Sequence, residues 1–153
     1  MNLEKKLPPK YYQYANKSLS DCDRNKTVKI SVSFTNYQAC ILEKHAVKTA
    51  EMVGDLFRRI LVEEGILEEG DVVFSGRKKH SSRFLNADCD TLKGMGTHKT
   101  YHFSVNECAQ IKIYKSMLEK GVDLSFWLKS RMVKREGAGE RDYQIFEVED
   151  LGY

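Results

Sequence analysis

Residues 98–115, HKTYHFSVNECAQIKIYK, form a short alternating stretch that runs directly into a helical pattern, and residues 25–44, NKTVKISVSFTNYQACILEK, have the same form. The two align without a gap at a shift of 71 residues, placing Val32 on Phe103, Phe34 on Val105, Leu42 on Ile113, Leu56 on Trp127, Phe57 on Leu128 and Leu61 on Met132. Few identities survive, but the pattern does, and a repeat of this size has to be accommodated by any fold assigned to the chain.

Each unit opens with strict alternation. Ile30, Val32 and Phe34 point one way and Lys29, Ser31 and Ser33 the other; Tyr101, Phe103 and Val105 likewise oppose Thr100, His102 and Ser104. The apolar face belongs to a core. The other face is small, rich in hydroxyls and free of carboxylates. Thr35 and Asn106 then stand where an N-cap is needed, so a helix begins without a loop. In the first helices Ala39, Leu42 and Ala46, and Ala109, Ile113 and Met117, make the apolar stripes. A turn and a second helix follow. In the second unit Gly121 stops one helix, Asp123 caps the next, and Leu124, Trp127, Leu128 and Met132 keep helical spacing. The first unit matches this with Val53, Leu56, Phe57, Ile60 and Leu61, but Ala50 stands where glycine would help and Met52 cannot cap. Thr49 is the alternative cap.

One strand and two helices cannot close a core, because the strand needs a partner and the helical stripes need cover. Two copies meet both needs: the strands join as an antiparallel ribbon, four helices wrap its apolar side, and six small polar side chains face outward.

In order and size, VKISVSFTNYQACILEKHAVKTAEMVGDLFRRIL and TYHFSVNECAQIKIYKSMLEKGVDLSFWLKSRMV resemble the ribbon-helix-helix (MetJ/Arc/CopG) family of DNA-binding proteins, over nearly half of the chain. Family members are normally homodimers that contribute one strand each. This chain supplies both, an arrangement similar to the conjugation protein TraY. The resemblance implies a mainly α fold with a two-stranded antiparallel β-ribbon, a tandem ribbon-helix-helix pseudo-dimer; short extra strands are expected in the linker and tail.

It also implies a site. A two-stranded ribbon fits the major groove of B-DNA, and the family's base-reading face falls on Lys29, Ser31, Ser33, Thr100, His102 and Ser104. Lysine can donate to guanine, hydroxyls can donate or accept, and the threonine methyl can touch thymine. Because the halves differ, the site read should be asymmetric. The family holds phosphates on backbone N–H groups at the start of the second helix, here Val53 and Gly54, and Leu124 and Ser125, with Asp123 opposing phosphate somewhat. Arg24, Lys26 and Lys99 beside the strands, and Arg77, Lys78 and Lys79 in the run GRKKHSSR, are further phosphate candidates.

Charge is distributed in the same sense. Residues 1–30 hold seven Lys/Arg against three acids and residues 76–99 six against two, whereas residues 138–153 hold five acids and one arginine. The expected organisation is an N-terminal arm (1–25), a first unit (26–65), a partly structured linker (66–98) containing DVVFSG, a second unit (99–137) and an acidic tail (138–153). No signal-peptide core or membrane span is evident, so a cytoplasmic chain is expected. Cys22, Cys40, Cys89 and Cys108 show no close pairing, and reduced thiols are the default reading.

No cofactor or metal is expected: His80, Cys89, His98, His102 and Cys108 include no C-x2-C pair to complete a zinc site. GRKKHSS lacks the Walker pattern, KGMGTHK lacks half of a dinucleotide fingerprint, and no nucleophile and base stand out, so an enzyme is not expected. The expected function is sequence-specific binding of double-stranded DNA, as a transcriptional repressor or an accessory factor at a plasmid or phage site, with a second copy on an adjacent site and no membrane. The competing reading is a phage or plasmid protein-interaction module, an inhibitor or antitoxin, that contacts a partner protein through the acidic tail.

Overall fold

A computed structural model describes residues 7–137, 139 and 141–153. The first six residues of the expected arm, and residues 138 and 140 of the expected tail, lie outside the described residues. The element order is α1 (Pro9–Ala15), β1 (Thr27–Thr35), α2 (Asn36–Thr49), α3 (Val53–Glu63), β2 (His98–Asn106), α4 (Glu107–Lys120) and α5 (Leu124–Arg131), with 3-10 turns at Glu69–Asp71, Cys89–Leu92 and Val148–Gly152.

The strands pair antiparallel over nine residues each, Thr27 opposite Asn106 and Thr35 opposite His98. Beyond each end the ladder gains one more bond, from the Asn36 N–H to the Thr97 carbonyl (3.0 Å) and from the Glu107 N–H to the Lys26 carbonyl (2.9 Å). Ile30, Val32, Phe34, Phe103 and Val105 are buried on one face. They pack on Leu42, Leu56, Phe57, Ile60, Ile113 and Leu128 from the four helices that follow the strands, with Phe34 stacked on Phe57 at 5.7 Å.

Local chemistry sets the helix ends. Thr35 caps α2 in a reciprocal capping box with Gln38, Asn106 caps α4 by accepting from the Ala109 N–H, and Asp123 caps α5 by accepting from the Phe126 N–H. α4 ends on Gly121 in the left-handed region, whereas α2 ends on Ala50 at φ 54°, where a Cβ is unfavourable. Thr49 does not cap α3. Its hydroxyl donates back to the His45 carbonyl, and Met52 occupies the cap position without a side-chain bond.

The fold class expected from the repeat, a mainly α tandem ribbon-helix-helix pseudo-dimer with extra strands, is corrected. The described chain has five α-helices and one two-stranded antiparallel sheet, is about 46% helical, and is a mixed α/β fold. The reason lies outside the repeat. Tyr11 from α1, Leu67, Val72 and Phe84 from the connecting segment, and Tyr143, Ile145 and Phe146 from the C-terminal segment are all buried in the same core as the ribbon. No described strand forms in the linker or tail. DVVFSG is irregular after its 3-10 turn, and the C-terminal segment contributes a single bridge between Val133 and Phe146.

The expectation of free thiols is also corrected, since Cys22 is bonded to Cys108 and Cys40 to Cys89, across sequence separations of 86 and 49 residues. Sequence spacing could not show this, because antiparallel pairing creates the proximity. Cys22 leads into β1 and Cys108 lies in the first turn of the helix after β2, at one end of the ribbon. Cys89 leads towards β2 and Cys40 lies in the helix after β1, at the other end. Closing loops of this length restricts the unfolded chain by about 4 to 5 kcal/mol each in the chain-entropy estimate.

Candidate nucleic-acid interface

The outward face of the ribbon follows from the register. Lys29 lies opposite Ser104, Ser31 opposite His102 and Ser33 opposite Thr100, so the six predicted reading residues form three cross-strand rows. Lys29, Ser31, Thr100 and His102 are exposed, and Ser33 and Ser104 are half-buried. Ser31 Oγ and His102 Nδ1 are 2.8 Å apart in the middle row.

Each edge of the ribbon is held by the second helix of the opposite unit. The Ser33 N–H donates to Ser125 Oγ in α5 (2.9 Å), and Arg58 Nε in α3 donates to the Ser104 carbonyl (2.9 Å). A Cβ added to Gly54 would stand 3.3 Å from Phe103 Cβ, so glycine is what lets α3 lie this close to β2. Arg58 also donates to Asp55 (2.7 Å), which in turn accepts from the Ser75 N–H (2.9 Å) and hydroxyl (2.7 Å). That chain of bonds fixes the start of the segment carrying Arg77 and Lys78, both of which are exposed.

The predicted phosphate contacts separate into open and occupied groups. Among the described residues the Val53 and Gly54 amides form no hydrogen bond, as befits the uncapped start of α3. At α5, by contrast, the Leu124 N–H donates to the Tyr11 hydroxyl (2.7 Å), and Asp123 places a carboxylate at the cap. Arg24 is exposed and lines a shallow groove with Ser104 and Val73; Lys26 is exposed and pairs with Glu107 at 3.3 Å. Lys79 and Lys99 turn inward to Glu43, Lys79 at 3.6 Å. Burial by itself would raise the Glu43 carboxyl. Hydrogen bonds from Lys99, Ser82 and Tyr101 and the Lys99 charge outweigh it and hold the group below the usual carboxylate range. Those two lysines therefore fasten the connecting segment to α2 and β2.

Sequence reasoning missed three contributors. Arg58 and Lys129 occupy equivalent places in the repeat, 71 residues apart, and this recurrence of a basic residue was a usable signal. Lys129 lies 5.0 Å from the centre of the Phe34 ring and lines a groove with Ser33, His98 and Ser125. Burial pushes its ammonium below the usual lysine range, with Asp123 opposing the shift. The third is Val73, 85% exposed beside Ser104, which no pattern marked because its neighbour Val72 is buried. Cys89 and Cys108, considered as metal ligands, are both spent in disulfides.

No described helix is long and apolar enough to cross a membrane. No family model, curated protein or solved structure matches this chain.

Proposed function

We propose that the chain binds a specific site on double-stranded DNA, laying its ribbon in the major groove, and acts by occupancy as a transcriptional repressor or an accessory factor at a plasmid or phage site. The observation that carries the reading is the outward face: three cross-strand rows of Lys, Ser, Thr and His side chains, with no carboxylate among the six. A major groove about 12 Å wide admits such a ribbon, and these side chains suit its donor and acceptor pattern. The likeness of the two repeat segments to ribbon-helix-helix units supports the same reading. So do the Val53 and Gly54 amides, which make no hydrogen bond among the described residues and suit a phosphate.

Recognition is polar. Lys29 and Ser104 mark one end of the face and Ser33 and Thr100 the other, so the site is asymmetric, with a second copy of the chain on an adjacent site as the proposed partner. The reading puts the chain in a cytoplasm. Stable disulfides occur there chiefly in hyperthermophiles, and the reading carries that condition. In the tail offered to the rival protein-binding reading, Asp150 is buried against the Tyr37 hydroxyl, Asp142 is paired with Arg59, and Glu147, Val148 and Glu149 are exposed.

Selection of bound duplexes from a random pool tests the proposal. The wild-type chain should enrich one asymmetric sequence, and the triple variant Ser33→Ala, His102→Ala, Ser104→Ala should stay folded and lose that preference. Unchanged preference in the variant would refute ribbon reading, and no enrichment by the wild type would refute specific DNA binding.

A further inference from the structure

Ser31 and His102 form the fifth of the nine strand pairs, the centre of the ribbon, and each occupies the other's place in the repeat. In a strictly symmetric ribbon the two residues would be identical. Here they differ, and they are hydrogen-bonded to each other, Ser31 Oγ to His102 Nδ1 at 2.8 Å.

That bond governs what the pair offers outward. A neutral imidazole has one N–H and one bare nitrogen, and the bond made by one nitrogen sets the state of the other. Two arrangements satisfy the bond: the Ser31 hydroxyl donates to Nδ1 and the His102 proton sits on Nε2, or Nδ1–H donates to Ser31 Oγ and Nε2 is bare. In the first, the centre of the face presents a donor over β2, the His102 Nε2–H, and an acceptor over β1, the free lone pairs of Ser31 Oγ.

The major-groove edge of a G·C pair has the complementary order, with acceptors N7 and O6 on guanine and the N4 donor on cytosine. Resting on the proposed DNA-binding reading, we infer that the couple meets DNA in the first arrangement and that the central base pair of the bound site has one fixed orientation, its keto base (guanine or thymine) beneath His102 and its amino base (cytosine or adenine) beneath Ser31. Inverting it sets donor against donor and acceptor against acceptor. An A·T pair follows the same rule: thymine O4 beneath His102 and adenine N6 beneath Ser31 complete the match, and the reverse orientation sets O4 against the Ser31 lone pairs. The couple therefore tells the protein which way round to sit on a site whose outer rows include the identical Ser33 and Ser104.

The test uses the full chain and the duplex selected from the random pool, remade with its central pair in both orientations of G·C and of A·T. Inversion should weaken binding about tenfold, the scale of one or two lost hydrogen bonds to a base edge. His102→Ser, which puts serine on both strands, should bind both orientations equally. Ser31→Ala should lower the discrimination without abolishing it. Long-range proton–nitrogen correlation spectra of the free protein should place the His102 proton on Nε2. Equal affinity of the wild type for both orientations, undiminished discrimination in His102→Ser, or a proton on Nδ1 would each overturn the inference while leaving DNA binding intact. Failure of the wild type to bind any duplex would overturn both.

Discussion

Glu43 in α2 and Tyr114 in α4 hold the same place in the two halves of the repeat, 71 residues apart, and each clamps a segment that lies outside it. Glu43 collects Lys79, Ser82, Lys99 and Tyr101, and so fastens the segment that leads into β2. Tyr114 packs edge-on against Tyr11 (4.7 Å) and stacks on Tyr14 (5.2 Å), and so fastens α1, ahead of β1. A disulfide reinforces each clamp, Cys40–Cys89 in the first case and Cys22–Cys108 in the second. One backbone scaffold thus solves one problem with two chemistries. The polar clamp depends on ionisation, whereas the aromatic one depends on burial, which pushes the Tyr114 hydroxyl up to about 12, with the neighbouring Tyr11 and Tyr14 adding to the shift.

Reduction removes the reinforcement from both clamps and should have the largest effect. Full reduction is expected to lower unfolding stability by at least about 4 kcal/mol, the loop-closure scale for one bridge of this span, since nested loops do not add fully. Denaturant melts with and without reductant measure this, and coincident midpoints would show that the bridges contribute nothing.

Replacing Glu43 by glutamine tests the polar clamp alone. It leaves Lys99 and Lys79 without their anion in a half-buried setting, at a cost of about 3 to 5 kcal/mol if the site behaves as a buried pair. The wild-type carboxyl is held below its ordinary value of 4.5, so its contribution is fully present above that pH and is lost as pH falls through the lowered value. Amide protection, referred to the intrinsic exchange rate at each pH, should accordingly fall in residues 79–99 on acidification before it does in α1. Simultaneous loosening of both segments would contradict the comparison.

The helix starts differ in the same instructive way. Asp123→Ala removes the α5 cap and should cost about 1 kcal/mol. The equivalent position in the first unit is Met52, where alanine has no capping bond to remove and the change should be small. The smallest effect belongs to Ala50→Gly, which relieves a left-handed alanine. Its gain in the native state outweighs the added freedom of the unfolded chain by a few tenths of a kcal/mol, and thermal melts should rise slightly.

What could be read from the sequence was local. Alternation of Ile30, Val32 and Phe34 and of Phe103 and Val105 gave the strands and their faces, and Thr35, Asn106, Asp123 and Gly121 gave helix boundaries, because capping and pleating act over a few residues. The fold class was not legible. Tyr11, Phe84, Tyr143 and Phe146 enter the core from segments with no period of their own, and the disulfide partners meet only through long-range pairing. The site was legible as a face but not as a set of free charges. Lys79, in a basic run, and Lys99, beside a strand, look like free phosphate contacts until Glu43, buried in α2, is placed beside them.

The central claim is that the ribbon face holds DNA, and the most direct measurement is affinity for the selected duplex as a function of salt. With Arg24, Lys26, Lys29, Arg77 and Lys78 exposed, log Kd should rise with log salt at a slope of about 4, and a duplex of scrambled sequence should bind more weakly at every salt. No duplex affinity at low salt, or affinity indifferent to salt, would contradict it.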